Sequence, residues 1–156
     1  METKKELKVS AIENGTVIDH IPADVVLRVV RILGLDHSGE QALFGMNLES
    51  KKYKKKGIIK ISNKYFKDEE INKIGLVAPN ATLITIKDYK VVEKRNVEMP
   101  SEIGGYVKCI NPKCITNHHD SILPKFNVYV REGEGIRLKC HYCEKTTKQS
   151  EMNFIS

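Results

Sequence analysis

Hydrophobic and polar residues over positions 1–100 recur with two different periods, which predicts strands interspersed with helices. Period-two alternation predicts six strands, at residues 7–12, 16–21, 42–48, 57–61, 82–86 and 89–94. Pro22 suits the first position of a helix that Gly34 ends as its C-cap. Asp68 is expected to cap a second helix, which Pro79 stops.

From the second strand onward the predicted order is β-α-β-β-α-β, with one extra strand at each end. This order is typical of the ferredoxin-like fold, in which two helices cover one face of an antiparallel sheet. The first two strands are expected to pair as a hairpin around the turn residues Glu13, Asn14 and Gly15.

The chain after residue 100 has a different character, because it carries all four cysteines and no convincing helical pattern. Residues 97–102 are interpreted as a linker. Alternation on either side of residues 133–135 predicts a hairpin, with these side chains pointing inward: Phe126, Val128, Val130, Ile136 and Leu138. We therefore expect an α+β protein, with an N-terminal domain over residues 1–100 and a small all-β domain over residues 101–156.

The four cysteines fall into two short-range pairs. Four residues separate Cys109 from Cys114, and two residues separate Cys140 from Cys143. Two such pairs on separate turns can place four thiolates at the corners of a tetrahedron, about 2.3 Å from a zinc ion. A closed four-thiolate site leaves no open coordination position, so the spacing predicts one structural zinc ion and not a catalytic one.

Two other interpretations of the cysteines are weaker. Two disulfides would satisfy the same count, but the charged first residues carry no apolar signal segment, and disulfides are disfavoured in the cytoplasmic chain that this predicts. His118, His119 and His141 are alternative ligands, yet the four cysteines already fill a tetrahedral shell.

Charge is spread unevenly along the chain of 156 residues, whose formal net charge is +6. The basic excess lies in residues 51–100, led by five lysines within residues 51–56. Such a cluster attracts phosphate groups of a nucleic acid, a membrane or a nucleotide, although a solvated loop has the same composition. No apolar run approaches the ~20 residues of a membrane span and the first residues are charged, so we expect a soluble cytoplasmic protein.

Polar side chains are expected on one face of the predicted sheet. Lys56 and Lys60 share a face of their strand because side chains alternate, as do Val17 and Asp19 on theirs. Lys94 ends the last strand close by if the strands pair as predicted. This set can hold a small phosphorylated ligand; the alternative is that the lysines only discourage edge-to-edge aggregation.

Catalysis is not expected from these residues. Asp19 and His20 are neighbours on a predicted strand, so they should face opposite sides and form no dyad. The sequence contains no G-x-S-x-G, P-loop or H-E-x-x-H motif.

Several segments resemble one family, the regulatory chain of aspartate carbamoyltransferase. They are Gly-Thr-Val-Ile-Asp-His-Ile-Pro at residues 15–22, Lys-Ile at 60–61, Tyr-Lys-Val-Val-Glu-Lys at 89–94, Cys-Ile-Asn-Pro-Lys-Cys-Ile at 109–115 and Leu-Lys-Cys-His-Tyr-Cys-Glu-Lys at 138–145. The match runs in order over essentially the whole chain and accounts for both domains.

The resemblance implies a non-catalytic subunit of pyrimidine biosynthesis, with an N-terminal nucleotide-binding domain and a C-terminal zinc domain that docks on the catalytic chain. It further implies that regulatory chains pair through their N-terminal sheets, and that CTP and ATP bind one site as allosteric effectors, with UTP as a third candidate. The positions that match the nucleotide site are Ala11, Ile12, Val17, Asp19, His20, Lys60, Ile86, Tyr89, Val91 and Lys94, with Lys56 as a further candidate.

The resemblance also implies roles within that site. His20 and Lys94 face the phosphates, Asp19 and Lys60 lie near the ribose and base, and the backbones of Ile12 and Tyr89 read the base edge. Better-known members carry Asn at the position of Ile84, close to the nucleotide. Because an aliphatic side chain neither donates nor accepts a hydrogen bond, discrimination between nucleotides is expected to be weak.

A zinc-ribbon protein that binds nucleic acid is the main alternative, given the sequence pI of about 9.1 and the lysine run. The lysines, however, lie outside the zinc domain, and aromatic residues for stacking bases are only 6% of the chain. We therefore expect neither a nucleic acid nor a membrane as partner.

Overall fold

The computed structural model describes residues 11–51 and 54–155. Its N-terminal part contains two helices, α1 (Val26–Ile32) and α2 (Asp68–Gly75). It also contains five strands: β1 (Gly15–Pro22), β2 (Ala42–Glu49), β3 (Lys55–Ser62), β4 (Thr82–Lys87) and β5 (Lys90–Asn96).

The five strands form one antiparallel sheet in the order β2-β3-β1-β4-β5. The first four have the arrangement of a ferredoxin-like fold, and β5 is added at one edge. Ile18, Ile59 and Ile61 on the sheet pack with Val29 of α1 and Ile74 of α2 in a single buried core. The predicted α+β class and the β-α-β-β-α-β order are confirmed.

The predicted N-terminal hairpin is wrong. β1 pairs with β3 on one side and with β4 on the other, so Gly15 lies opposite both Ser62 and Ile86. A central strand has no free edge for a hairpin partner. The predicted partner strand, residues 7–12, lies mostly outside the described residues, and positions 11–12 are not in a strand.

Helix α1 ends as the sequence predicts. Gly34 has φ +64° and donates its N–H to the carbonyl of Arg31, while Leu35 donates to the carbonyl of Val30. These two bonds form a Schellman motif, which requires a left-handed residue at the position of the glycine. The helix itself begins later than predicted, since residues Ala23–Val25 form a 3-10 turn after Pro22.

Two boundaries differ by one residue from the prediction. α2 begins at Asp68, so its N-cap is Lys67, whose N–H lies 3.4 Å from Oε1 of Glu70. The turn between β4 and β5 is formed by Asp88 and Tyr89, at φ +52° and +64°. Positive φ at both central residues matches the twist of a two-residue hairpin, which is why the turn lies one residue later than expected.

The C-terminal part is all-β. Its strands are β6 (Glu102–Gly104), β7 (Val107–Lys108), β8 (Lys125–Arg131), β9 (Gly135–Cys140), β10 (Thr146–Lys148) and β11 (Asn153–Phe154). They form a four-stranded sheet, β10-β9-β8-β6, and a two-stranded one, β11-β7. In this part the described residues contain 3-10 turns but no α-helix.

The predicted hairpin is β8–β9, and its inward residues form the small core, with one exception. Phe126 and Leu138 are fully buried, whereas Val130 is 59% exposed because it lies near the turn, beyond the core. Phe154 packs against both cores and joins the two parts of the molecule. None of the helices in the described ranges is long and apolar enough to cross a membrane.

Candidate metal centre and ligand-binding face

The four cysteines lie together at one end of the C-terminal sheet. Their Sγ atoms are all within 4.8 Å of one another. The Cys109–Cys143 and Cys114–Cys140 pairs are separated by 3.6 and 3.7 Å. A tetrahedral ion with ~2.3 Å metal–sulfur bonds needs sulfur–sulfur distances of about 3.8 Å, so the four side chains fit one metal ion.

Turns hold the two cysteine pairs. Cys109 follows β7, and Asn117 donates from Nδ2 to the Cys109 carbonyl at 3.0 Å and to the Asn111 carbonyl at 2.7 Å. Cys140 ends β9, and the amide of Tyr142 points to its sulfur at 3.4 Å. Asn117 was not anticipated from the sequence, because its role depends on the path of the loop and not on the cysteine spacing.

The surroundings shift the pKa values of three of the four thiols in different directions. Burial raises the pKa of Cys109 well above its usual value and also raises that of Cys140. Burial also raises the pKa of Cys143, but hydrogen bonds, first from the amide of Lys145 and then from Asn111, outweigh it and lower the value to about 7. A bound cation supplies the charge that would keep all four as thiolates.

The histidines considered as alternative ligands lie outside this cluster. Among residues 11–51 and 54–155, the one potential metal cluster consists of the four cysteines. His141 instead places Nε2 2.9 Å from Oδ1 of Asn127.

A second apolar cluster lies on the face of the N-terminal sheet that the helices leave uncovered. Ile12, Val17 and Ile86 are its buried members, and Ile58 and Ile84 pack against them. Along β3, Gly57, Ile59 and Ile61 are buried while Lys56, Ile58 and Lys60 are only half-buried. The alternation therefore places both lysines on the helix-free face, as the sequence predicts.

A bulge in β1 changes the expected positions of Asp19 and His20. Ile18 pairs with Ile59 and Ile21 with Gly57, so two residues of β1 oppose one residue of β3. His20 has φ +56°, and its Nδ1 lies 3.1 Å from Oγ1 of Thr82, the residue that pairs with Asp19.

The prediction that the two side chains face opposite sides is wrong. It assumed an unbroken strand, but the bulge interrupts the alternation and leaves both side chains outside the main core. Asp19 uses Oδ1 to accept hydrogen bonds from the amide of His20 and from Nζ of Lys56, each at 2.7 Å.

The positive charges on this face are partly removed from water, which is energetically unfavourable. Lys56 and Asp19 form a mostly buried ion pair, with side-chain exposures of 19% and 16%. Burial lowers the pKa of Lys60, and the nearby carboxylate of Asp19 partly offsets the effect. An anionic ligand would relieve this cost, because it favours the protonated lysine.

A cleft of about 290 Å³ opens on the same face. Of the candidate residues it is lined by Ala11, Ile12, Lys60 and Tyr89, and the other lining residues are Glu13, Asn14, Gln41, Leu43, Ser62 and Asn63. Sequence reasoning missed the latter group, because only the pairing of β2 with β3 and the path of residues 11–14 bring these residues together.

Tyr89 is held at the cleft by its backbone. Its N–H donates to the carbonyl of Glu13 at 2.8 Å, and the N–H of Asp88 donates to Oδ1 of Asn14 at 3.1 Å. A tyrosine at positive φ is strained, and these two bonds fix the turn in that conformation. The side chain is 67% exposed and therefore accessible to a ligand.

The remaining candidates lie along β4 and β5 beside the cleft. Ile84 pairs with Lys94, and Ile86 pairs with Val91. Paired residues share a face of a sheet, so Lys94 and Val91 belong to the helix-free face. Val17, Asp19, His20 and Lys56 lie on that face without lining the cleft itself. The candidates thus form one surface that is larger than the cleft.

Comparison with known proteins covers nearly the whole chain. Residues 7–98 match the family model "Aspartate carbamoyltransferase regulatory chain, allosteric domain". Residues 101–153 match "Aspartate carbamoyltransferase regulatory chain, metal binding domain".

Individual relatives are similar over nearly their full length. The aspartate carbamoyltransferase regulatory chain of Bacteroides fragilis is 50% identical over 154 residues, which covers 99% of each chain. That of Phocaeicola vulgatus is 54% identical, covering 99% of this chain and 97% of the relative. That of Pyrococcus furiosus is 52% identical over 149 residues, covering 94% and 96%.

Proposed function

Because the chain belongs to the family of aspartate carbamoyltransferase regulatory chains, we propose that it assembles with catalytic chains and adjusts their activity in response to nucleotides. As a regulatory chain it is a non-catalytic subunit of that enzyme. The observation that carries the proposal is the helix-free sheet face, where half-buried cations border a cleft. Both parts of the chain match domains of a regulatory chain, which argues against the alternative of a nucleic-acid-binding protein.

Zinc is the metal that best suits the cysteine cluster. Four thiolates at these separations favour a tetrahedral, thiophilic cation, and a closed site of this kind stabilises structure. The C-terminal domain, residues 101–156, has a core of few large side chains, so a bound ion would supply much of its stability.

The nucleotide is proposed to lie across the helix-free face of residues 1–100. Its base enters the cleft beside Ile12 and Tyr89, near Lys60, and its phosphates extend toward His20 and Lys94. CTP and ATP, and UTP as a third candidate, share the triphosphate that these cations recognise. The apolar strip formed by Val17, Ile84, Ile86 and Val91 would contact the sugar and base.

Docking on the catalytic chain is assigned to the C-terminal domain. It exposes large apolar side chains near the metal centre or in its loops: Ile110, Ile115, Leu123 and Tyr142. Exposed apolar side chains of this size are typical of protein interfaces.

A regulatory-chain homodimer is proposed to form through β2, an edge strand of the sheet. β2 exposes Leu43, Phe44 and Met46, whereas the opposite edge, β5, carries several charges that oppose strand pairing. Phe44→Lys is expected to raise the dissociation constant of the dimer about five-fold or more, since it places a charge on that edge. Analytical ultracentrifugation measures this, with Val92→Lys on β5 as the control. Equal weakening by both variants would exclude β2 as the specific interface.

Ile84 is expected to limit discrimination between nucleotides. Ile84→Asn should change the ratio of CTP to ATP affinity by about three-fold or more, because one neutral hydrogen bond to the base contributes about 0.5–1.5 kcal/mol. Isothermal titration calorimetry of the full chain measures both affinities. Ile84→Val is the control and should leave the ratio unchanged. An unaltered ratio in Ile84→Asn would remove position 84 from the base contacts.

The overall proposal is tested by co-expression with a catalytic chain. We expect a stable complex whose activity changes with CTP and ATP, whereas the isolated chain has no carbamoyltransferase activity. Failure to co-purify would contradict the proposal. So would a complex whose activity is unchanged by CTP and by ATP at every aspartate concentration.

A further inference from the structure

A short segment near the C-terminus contacts both helices of the N-terminal domain. Residues Gln149–Glu151 form a 3-10 turn after β10. Arg28, which lies on α1, donates from Nη2 to the carbonyl of Gln149 at 2.9 Å and to that of Met152 at 3.1 Å. One guanidinium nitrogen therefore bridges the two ends of the turn.

The side chain of Gln149 makes the matching contact to the other helix. Its Nε2 donates to the carbonyl of Leu76 at 3.1 Å and to that of Val77 at 3.2 Å. Leu76 is the C-cap of α2, where helical carbonyls lack partners within the helix. Gln149 thus caps α2 from the C-terminal domain.

Both helices are connected to the bulge in β1 by short stretches of chain. His20 and Arg28 are separated only by the end of β1 and the first turn of helix, with Pro22 limiting the backbone between them. On the other side, α2 leads through residues 76–81 to Thr82, whose hydroxyl lies 3.1 Å from the His20 ring. A displacement of His20 would therefore reach both helices.

The packing around this segment is tight. Met152 is buried in the core of the C-terminal domain, and Phe154 packs against both cores. If one helix shifts and the turn of residues 149–151 moves with it, the contacts of the turn to the other helix or to its own domain must change, because packed interiors transmit displacement.

We propose that Arg28 and Gln149 form a polar latch that couples the nucleotide site to the C-terminal domain. They are positioning residues, since neither lies on the helix-free face. The latch rests on the proposed regulatory function. It adds the specific contacts through which a nucleotide bound near His20 changes the contacts between the N-terminal and C-terminal domains.

The test uses the complete complex with catalytic chains and separates affinity from coupling. Gln149→Met keeps the side-chain length and Arg28→Met keeps an unbranched apolar stem, and both remove the hydrogen-bond donors. Arg31→Met is the matched control, because Arg31 is an exposed arginine on the same helix. For each complex, the CTP dissociation constant and the factor by which CTP changes the half-saturating aspartate concentration are measured.

In the two latch variants, CTP affinity should stay within about two-fold, while the coupling factor should fall about three-fold or more. Arg31→Met should match the wild type in both. Arg28→Lys, which keeps the charge but loses the planar fork of donors, should lose part of the coupling and carries the test if Arg28→Met does not assemble.

Hydrogen exchange gives an independent result. CTP should change the protection of amides 149–152 in the wild type and not in the latch variants. The latch is overturned if Arg28→Met and Gln149→Met both keep the wild-type coupling factor. If Arg28→Met does not assemble, the same result for Arg28→Lys and Gln149→Met overturns it. A wild-type complex that does not respond to CTP would instead contradict the proposed function.

Discussion

Cys114→Ala is expected to abolish zinc binding and to unfold the C-terminal domain while the N-terminal domain keeps its fold and its nucleotide affinity. Cys114 is buried, and its sulfur is 3.7 Å from that of Cys140, so the change removes one of four ligands from a closed site. In small zinc peptides metal binding contributes roughly 10–16 kcal/mol to folding, which exceeds what the few core side chains of this domain can replace.

Metal analysis and circular dichroism of purified protein measure the effect, and co-purification with a catalytic chain reports the loss of docking. His141→Ala is the control, because His141 adjoins a cysteine yet lies outside the cluster. The variant should retain one zinc ion per chain. Native protein purified without any zinc, or a fully folded Cys114→Ala, would disprove the assignment.

Lys94→Ala is expected to lower the affinity for CTP and the affinity for ATP to a similar extent, about ten-fold or more, without affecting assembly. Lys94 pairs with Ile84 and so lies on the helix-free face, where the triphosphate is proposed to extend. A hydrogen bond to a charged group contributes roughly 1.5–3 kcal/mol, and both nucleotides carry the same phosphates.

Calorimetry at fixed ionic strength measures the two affinities. Lys90→Ala is the matched control: Lys90 is on the same strand but pairs with Lys87, one position from the Ile86–Val91 pair that lies on the ligand face. It should change either affinity by less than about two-fold, as expected of a screened surface charge. Equal effects of both variants would mean that general basicity, and not a specific contact, attracts the nucleotide.

Much of the N-terminal fold follows from residue patterns because each element has a local cause. Glycine at position 34 permits the left-handed C-cap of α1, and the alternation along β3 assigns Lys56 and Lys60 to the helix-free face. The cysteine spacing likewise indicates which four sulfur atoms meet, since each pair lies within one turn.

The features that could not be predicted depend on pairing between distant segments. No residue pattern within β1 shows that β3 and β4 occupy both of its edges. The sequence therefore predicts a hairpin with the preceding segment instead. The bulge at Asp19 and His20 arises from the register between β1 and β3, and a period-two pattern cannot include an extra residue. The Arg28–Gln149 contact similarly requires the relative position of two domains.

The central position of β1 also has a consequence for how the chain folds. Gly15 must find Ser62 and Ile86, so the N-terminal sheet closes only after most of its domain is available. In the C-terminal sheet β8, β9 and β10 are successive neighbours, and Val130 meets Ile136 across a short turn. Long-range pairing slows folding because loop-closure entropy opposes it before contacts form. The four-stranded sheet of the C-terminal part, although synthesised after the N-terminal sheet, therefore needs the shorter conformational search of these two sheets.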